Sequence, residues 1–162
     1  MLIRSAIDTD SDAIAEVYLR AWAIAMPFVT NAHTDAQVRE WIRGRLVPGG
    51  RVLVAEEGSS IRAMLAHSED EKGFWIDQLY VDPDFSRRGI GTALLEQAIA
   101  LAAGRAIRLY SFQANSTARA FYERHGFRAI EYGDGSGNEE RCPDVLYERP
   151  PREPRPAAPR SE

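Results

Sequence analysis

The residues best suited to chemistry form a short loop in which two arginines precede two glycines. The loop reads Ser86-Arg87-Arg88-Gly89-Ile90-Gly91-Thr92 and opens a long segment of helical periodicity. Glycines let a ligand approach the backbone closely, and the first turn of a helix presents free N–H groups at its positive end. The loop therefore predicts an anion site, and the arginines favour a pyrophosphate.

Two common nucleotide-binding loops do not fit these residues. A P-loop requires Gly-Lys-Ser/Thr, which the chain lacks. A Rossmann fingerprint needs a third glycine, and Leu94 stands in its place. Taken alone, the pattern is also typical of a plain helix cap beside solvated arginines, so the anion site needs further support.

A second segment of interest runs from Asn115 to Phe127. Asn115 is a capping residue that begins a helix, Tyr122 lies near the end of that helix, and Gly126-Phe127 leads into a strand. Taken alone, Tyr122 is more typical of an amphipathic core position than of a catalytic one.

Together the two segments resemble the GCN5-related N-acetyltransferase (GNAT) family. The stretch from Ser86 to Gly91 is similar to the family's pyrophosphate loop, Gln/Arg-x-x-Gly-x-Gly/Ala, with Ser86 where Gln or Arg is usual. The pattern Asn115-x-x-Ala118-x-x-x-Tyr122-x-x-x-Gly126-Phe127 is similar to its second motif. The resemblance covers the chain to about Glu148 and implies an acetyl-CoA-dependent N-acetyltransferase.

The same resemblance implies how acetyl-CoA is held. Two splayed strands, near Leu79 to Val81 and Ser111 to Asn115, would lie on either side of the pantetheine arm, and the 87–92 backbone would bind the pyrophosphate. The predicted cofactor-binding residues are Leu79, Tyr80, Val81, Arg87, Arg88, Gly89, Ile90, Gly91, Thr92, Asn115, Ala118 and Tyr122.

Acyl transfer to an amine needs a base, an oxyanion donor and an acid. A free lysine-like amine, with a pKa near ~10.4, is almost entirely charged at pH 7, so its proton must be removed before it attacks a thioester. A strand N–H, that of Leu79, is predicted to stabilise the tetrahedral oxyanion. By resemblance, Tyr122 protonates the departing thiolate.

The base is the least determined of these groups. Many relatives place a carboxylate on the strand equivalent to 74–81, where Trp75 occupies the commonest position. Asp77 alternates with Trp75, Leu79 and Val81, which makes it a candidate base and acceptor contact, or equally a solvated strand residue. His33, in the loop that borders the acceptor site of this fold, is a candidate acceptor contact or base, although a surface histidine is more usual.

The loop from Asp134 to Glu140 has two interpretations as well. Its carboxylates form an acidic rim that attracts a cationic acceptor, or they are an ordinary solvated loop. The acceptor itself is left as a small-molecule or protein amine.

The elements that must position these residues alternate in type along the chain. Capping residues, glycines and prolines delimit strands over 2–7, 51–56, 60–67, 74–81, 106–112, 127–132 and 145–148. Helices are predicted to end near Ala25, Leu46, Gly104 and His125. The order β-α-α-β-β-β-α-β-α-β-β predicts a mixed α/β domain over 1–148, with a mainly antiparallel central sheet flanked by helices.

Composition sets the remaining limits. The 162 residues are 44% apolar and 27% charged, which suits one soluble domain, and a Pro/Arg-rich tail over 149–162 is predicted to be disordered. We see neither a signal peptide nor an apolar run of the roughly 20 residues that span a bilayer, so a cytoplasmic location is expected and no membrane partner.

Charge and cysteine content exclude further classes of function. Cys142 is the only cysteine, which rules out an internal disulfide or a thiolate metal cluster, and no metal site is expected. The net charge of -4 argues against binding to nucleic acid. A homodimer is left open. A non-catalytic acyl-CoA sensor of the same fold and a plain interaction module remain the alternative functions.

Overall fold

The computed structural model describes residues 1–153, which contain seven strands and four α-helices. The strands are β1 Leu2–Ser5, β2 Val52–Glu57, β3 Ser60–Asp70, β4 Gly73–Val81, β5 Ile107–Phe112, β6 Arg128–Gly133 and β7 Asp144–Arg149. The helices are α1 Ser11–Ala25, α2 Asp35–Trp41, α3 Ile90–Ala102 and α4 Ser116–Arg124. Their order along the chain is the predicted one.

The strands form a single sheet in the order β1-β2-β3-β4-β5-β7-β6. Neighbouring strands are antiparallel except β4 and β5, which run parallel because α3 crosses over between them. This arrangement confirms the predicted fold class, a mainly antiparallel mixed α/β sheet with flanking helices.

Each face of the sheet buries its own apolar cluster. On one face, α3 and α4 pack Leu94, Leu95 and Tyr122 against strand residues such as Leu65 and Leu109. On the other face, α1 and α2 cover a second cluster. Apolar side chains and helices therefore cover both faces of the sheet along its centre. Polar groups that are needed for chemistry must lie where the helices do not cover the sheet or where neighbouring strands separate.

The predicted second helix, extending to Leu46, divides into α2 and a wider π-helical turn over 42–46. The N–H of Val47 donates to the carbonyl of Ile42 at 3.0 Å, a bond that spans five residues. Five residues bring the chain back to nearly the same side in a π turn, and Ile42 and Val47 are both buried. Packing of these two side chains accounts for the change of pitch.

The first strand ends at Ser5, two residues earlier than predicted. The carboxylate of Asp10 accepts a hydrogen bond from the N–H of Ile7 at 2.9 Å and pairs with Arg4 at 2.7 Å. These contacts draw the chain into a 3₁₀ turn over Asp8–Asp10 and leave Ile7 outside the sheet.

The chain remains attached to the domain slightly beyond the predicted boundary at 148. Arg149 pairs with Ile107 as the last residue of β7, and the N–H of Arg152 donates to the carbonyl of Gly104 at 2.9 Å. Residues 154–162 of the predicted tail lie outside the described residues, so disorder there stays a prediction. Within 1–153, no helix has the length and apolarity needed to cross a membrane.

Candidate active site

A gap opens in the middle of the sheet, where β4 and β5 diverge. The two strands pair at their starts, Phe74 with Ile107 and Trp75 with Arg108. Further along, β4 continues beside β3 while β5 continues beside β7. The splayed ends leave backbone groups of both strands facing a shared space, which is the arrangement that the family resemblance implies.

A bulge in β4 determines which backbone groups face this gap. Asp77 is the extra residue at the shift in register between β3 and β4. Before the bulge, the N–H of Phe74 donates toward β5 at 3.0 Å; after β4 ends, the N–H of Asp82 donates toward β3 at 2.7 Å. Because N–H direction alternates along a strand, the N–H groups of Leu79 and Val81 point into the gap.

The bulge also overturns one sequence expectation, that Asp77 shares a face with Leu79 and Val81. Those two side chains pack toward the α3–α4 cluster, whereas Asp77 accepts a hydrogen bond from the hydroxyl of Ser68 at 3.0 Å on the opposite face. Simple alternation fails here because the inserted residue shifts the parity of the strand.

The start of α3 forms the anion-binding geometry expected from the Ser86–Thr92 loop. Gly89 has φ 80° and precedes the first helical residue, and Arg87 has φ 62°, which is uncommon for a residue with a side chain. The N–H groups of the first helical turn have no intrahelical acceptor. A Cβ on Gly91 would meet Val81 and Phe121 at ordinary contact distances of 3.5 and 3.6 Å, so the fold tolerates one and the glycine serves to keep the turn open.

A groove of about 890 Å³ runs from this turn into the gap between the strands; we call it the loop groove. It is lined by the end of β4, the 83–92 turn, α1 and the start of α4. At its wall the hydroxyl of Thr92 lies 3.2 Å from Nε2 of His125, whose Nδ1 lies 2.7 Å from the carbonyl of Phe121. A carbonyl only accepts, so Nδ1 of His125 donates to Phe121.

A second cavity of about 590 Å³, which we call the acidic cleft, continues from the loop groove. Five carboxylate residues line it, together with aromatic side chains of α1 and β5 and the loop between β6 and β7. The acidic residues are Asp77, Glu131, Asp134, Glu140 and Asp144. The residues common to both cavities are Ala25, Leu79, Tyr80, Asn115, Ala118 and Tyr122, and they define a junction.

Tyr122 is the polar side chain buried at this junction. It is 8% exposed, and its ring packs against Phe121, Phe127 and Tyr147. Its hydroxyl forms no hydrogen bond with any residue in 1–153. Burial raises the pKa of this hydroxyl above its usual range, so it remains protonated at neutral pH. The junction therefore holds a proton donor that no residue in 1–153 occupies.

Comparison with known proteins identifies the family. Residues 48–129 match the acetyltransferase (GNAT) domain family. An N-acetyltransferase of Archaeoglobus fulgidus is 30% identical over 150 residues, which cover 86% of this chain and 100% of that protein. This chain belongs to the GNAT family. The match confirms the predicted family.

Other similar proteins are also N-acetyltransferases by name, but the matches to them have lower coverage or lower identity. The peptidyl-lysine N-acetyltransferase YjaB of Salmonella typhimurium is 27% identical over 127 residues, covering 78% of this chain and 82% of that protein. The matches to two further N-acetyltransferases, of Escherichia coli and Methanocaldococcus jannaschii, span only 35% and 28% of those proteins. The PaiA N-acetyltransferase of Thermoplasma acidophilum, solved with coenzyme A, shares the fold at a TM-score of 0.73 and 21% identity, covering 92% of this chain and 98% of that one.

Most of the cofactor contacts predicted for this GNAT chain line the loop groove. The exceptions are Arg88 and Ile90. The guanidinium of Arg88 lies 4.8 Å from the centre of the Phe85 ring, and the side chain of Ile90 is buried beneath the turn. Asn115 lines the groove while its side-chain oxygen caps α4 through the N–H of Ala118 at 3.1 Å.

Of the two candidate acceptor contacts, Asp77 and His33, only Asp77 lies in the acidic cleft. Asp77 lines the acidic cleft, and desolvation by the surrounding walls raises the pKa of its carboxyl, although the hydrogen bond from Ser68 opposes the shift. His33 lies outside the lining: its Nε2 pairs with the carboxylate of Glu139 at 2.6 Å, and both side chains are exposed. This pair joins the loop before α2 to the loop between β6 and β7.

Sequence reasoning missed several residues of the site. Trp22 and Met26 at the end of α1 line the acidic cleft, and Phe112 at the end of β5 packs edge-on against Trp22 with ring centres 5.7 Å apart. Helical spacing in the sequence places Trp22 with Tyr18 and Ala21 on the apolar side of α1. Nothing in that periodicity distinguishes a residue that covers the core from one that overhangs a cleft where two strands diverge.

Proposed function

We propose that this chain transfers the acetyl group of acetyl-CoA to a primary amine by direct attack through a tetrahedral intermediate. The observation that carries the proposal is the junction of the two cavities, where the N–H of Leu79 and the unpartnered hydroxyl of Tyr122 meet a groove ending in an anion-binding turn. One cavity suits the donor and the other suits the acceptor.

The residues of the loop groove fit acetyl-CoA. The free N–H groups of the first turn of α3 and the open position at Gly91 suit the pyrophosphate. The N–H of Val81, directed into the gap, suits the amide-bearing pantetheine arm, and Asn115, which caps α4, lines the same groove. Acetyl-CoA supplies the reactive thioester, and the chain supplies binding and proton transfer.

The placement of the chain's own groups supports the following roles. Asp77 lies in the acidic cleft with a raised carboxyl pKa, so it accepts the proton of an incoming ammonium group more readily than an ordinary aspartate, directly or through water. The N–H of Leu79 stabilises the oxyanion as the nitrogen–carbon bond forms. The hydroxyl of Tyr122 donates a hydrogen bond to the sulfur as the carbon–sulfur bond breaks. The nitrogen loses its remaining extra proton, the departing thiolate takes up a proton, and the products are an amide and free CoA.

A panel of amines, assayed with acetyl-CoA by release of free thiol, tests this proposal. The panel includes small aliphatic amines, amino acids and peptides with lysine, since a relative is named a peptidyl-lysine acetyltransferase. We expect turnover with at least one amine class and none with the Gly91→Glu variant, whose carboxylate enters the turn. Binding of CoA without turnover of any amine would favour the non-catalytic sensor instead.

A further inference from the structure

The far wall of the acidic cleft carries negative charge that the fold does not neutralise. Glu131 and Glu140 form neither a hydrogen bond nor an ion pair through their carboxylates within 1–153. Asp134 accepts the N–H of Ser136 at 2.9 Å, and Asp144 accepts the side-chain amide of Asn138 at 3.2 Å. These donors are neutral, so four unbalanced charges face the cleft.

The lining contains no opposing charge either. Among the described residues that line the acidic cleft, none is lysine, arginine or histidine. The described residues also include no group of three or more acidic, histidine or cysteine side chains that could hold a metal ion. The charge is therefore spread along the wall, which suits an extended organic cation better than a metal ion.

The position of these carboxylates separates them from the chemistry. All four line the acidic cleft but not the loop groove, whereas Tyr122 and Leu79 line both. An amine whose nitrogen reaches the junction therefore leaves the rest of its length against the acidic wall. A second ammonium group on the same molecule would find the charge there that the protein leaves unpaired.

The other surfaces of the cleft favour a slender, flexible cation. Trp22, Tyr110 and Phe112 present aromatic rings to the same space, and such rings bind ammonium groups and methylene chains. Tyr122, which is 8% exposed, also lines the cleft, and its hydroxyl has no hydrogen-bond partner in the described chain, a second sign that the cleft receives a polar ligand.

A contact between two loops beside the cleft favours a small ligand. The His33–Glu139 contact at 2.6 Å links the loop before α2 to the loop between β6 and β7. Glu140, next to Glu139 in the chain, lines the cleft, and so does Met26 just after α1. A link between the loops leaves less room for a folded protein surface to reach the junction than for a small molecule.

We infer that the preferred acceptor is a small aliphatic amine with at least two ammonium groups, one acetylated at the junction and the other held by the carboxylates of the β6–β7 side. This inference rests on the proposed function for its reacting group. It adds the substrate class: a diamine or polyamine rather than a monoamine or a protein lysine.

Matched acceptors test the inference. The kcat/KM values of 1,4-diaminobutane and spermidine are compared with that of butylamine, which has the same reacting end and lacks the second charge. We expect at least a roughly 10-fold preference for the polycations, most of it in KM, and a loss of that preference between about 0.05 and 0.5 M NaCl. A lysine-containing peptide should be the poorer acceptor; equal or better use of the peptide would overturn the inference.

Variants that neutralise one carboxylate each test whether the acidic wall causes the preference for polycations. Glu131→Gln and Glu140→Gln remove carboxylates without breaking a hydrogen bond, so each should lower kcat/KM for spermidine by roughly 3- to 10-fold and leave butylamine within about two-fold. Glu57→Gln, an exposed carboxylate at the end of β2 outside both cavities, is the matched control and should change neither. Equal losses for both amines, or no loss for either, would refute recognition by this wall.

A binding measurement separates this inference from the proposed reaction. Calorimetry of spermidine against the full chain saturated with CoA reports the cation site without any transfer. Binding that Glu131→Gln weakens, with no turnover of any amine, would refute the proposed function and leave the cation site standing. Turnover of amines without detectable spermidine binding, or with binding that Glu131→Gln leaves unchanged, would refute the cation site alone.

Discussion

Replacement of Tyr122 by phenylalanine isolates a single oxygen atom at the junction of the two cavities. The ring contacts with Phe121, Phe127 and Tyr147, at centre distances of 5.3, 5.6 and 6.3 Å, are all available to phenylalanine. The change therefore removes the hydroxyl and keeps the packing. If the hydroxyl is a core feature, little should happen; if it serves the reaction, turnover should fall while the fold stays intact.

The effect on stability can be estimated first. The hydroxyl of Tyr122 has no hydrogen-bond partner among residues 1–153, so its removal breaks no bond within the described structure. Removal of an unpaired polar group from an apolar setting is neutral or slightly favourable, and we expect the free energy of unfolding to change by less than about 1 kcal/mol. CoA affinity should be nearly unchanged.

The effect on turnover follows from the acidity of the buried hydroxyl. Burial raises the pKa of Tyr122 above its usual range, whereas a thiol has a pKa near ~8.5, so complete transfer of the proton to the thiolate is uphill. The hydroxyl acts chiefly as a hydrogen-bond donor to the developing negative charge on sulfur. A hydrogen bond to a charged group contributes about 1.5–3 kcal/mol, which corresponds to a roughly 10- to 160-fold fall in kcat.

The assay compares kcat of the parent and of Tyr122→Phe at saturating acetyl-CoA, by thiol release, with CoA affinity measured by calorimetry. Tyr132→Phe, an exposed tyrosine outside both cavities, is the matched control and should keep full turnover. Because the raised pKa keeps Tyr122 protonated, the fold-loss should be constant from about pH 6 to 9. A kcat within a factor of two of the parent would remove Tyr122 from the mechanism.

Two other predictions test the cofactor turn and an electrostatic contact of the fold. Gly91→Glu should abolish measurable CoA binding by calorimetry, while Gly91→Ala, whose Cβ the structure accommodates at 3.5 Å or more, should stay folded and weaken binding less; equal affinity in all three proteins would place CoA elsewhere. Asp10, whose pKa is lowered mainly by its hydrogen bond from Arg4, stabilises the fold above its unfolded pKa of about 3.9, and this contribution is lost as pH falls through the lower folded value. Asp10→Asn should therefore be less stable than the parent at pH 7 in urea unfolding, and the difference should shrink on acidification; a pH-independent gap would contradict the linkage.

The order of elements could be predicted because each carries a local signal. Gly89, Gly104 and Gly126 adopt positive φ at the helix boundaries where the sequence analysis placed stops and starts, and Asn115 caps α4 with its side chain. The π turn over 42–46 had no such signal. It arises because Ile42 and Val47 must face the same tertiary neighbours, which periodicity over one helix does not reveal.

The site was only partly predictable for a similar reason. The turn before α3 and the helix bearing Tyr122 are local patterns, and their residues line the predicted groove. The acidic cleft instead assembles from distant segments: Trp22 from α1, Asp77 from β4 and Glu140 from the β6–β7 loop. Their proximity depends on how far two strands diverge, and no sequence spacing records that.

The bulge at Asp77 connects these observations, because one inserted residue does two things. It places the carboxylate of Asp77 on the face opposite the side chain of Leu79, and it turns the N–H of Leu79 away from β3 and into the gap. In an unbroken strand, the parity set by Phe74 would direct the N–H of Leu79 into the β3–β4 ladder, where it would be unavailable to a ligand. The bulge thus turns the candidate oxyanion donor into the gap and directs the candidate base toward the acidic cleft. A strand with regular alternation could not place both groups in this way.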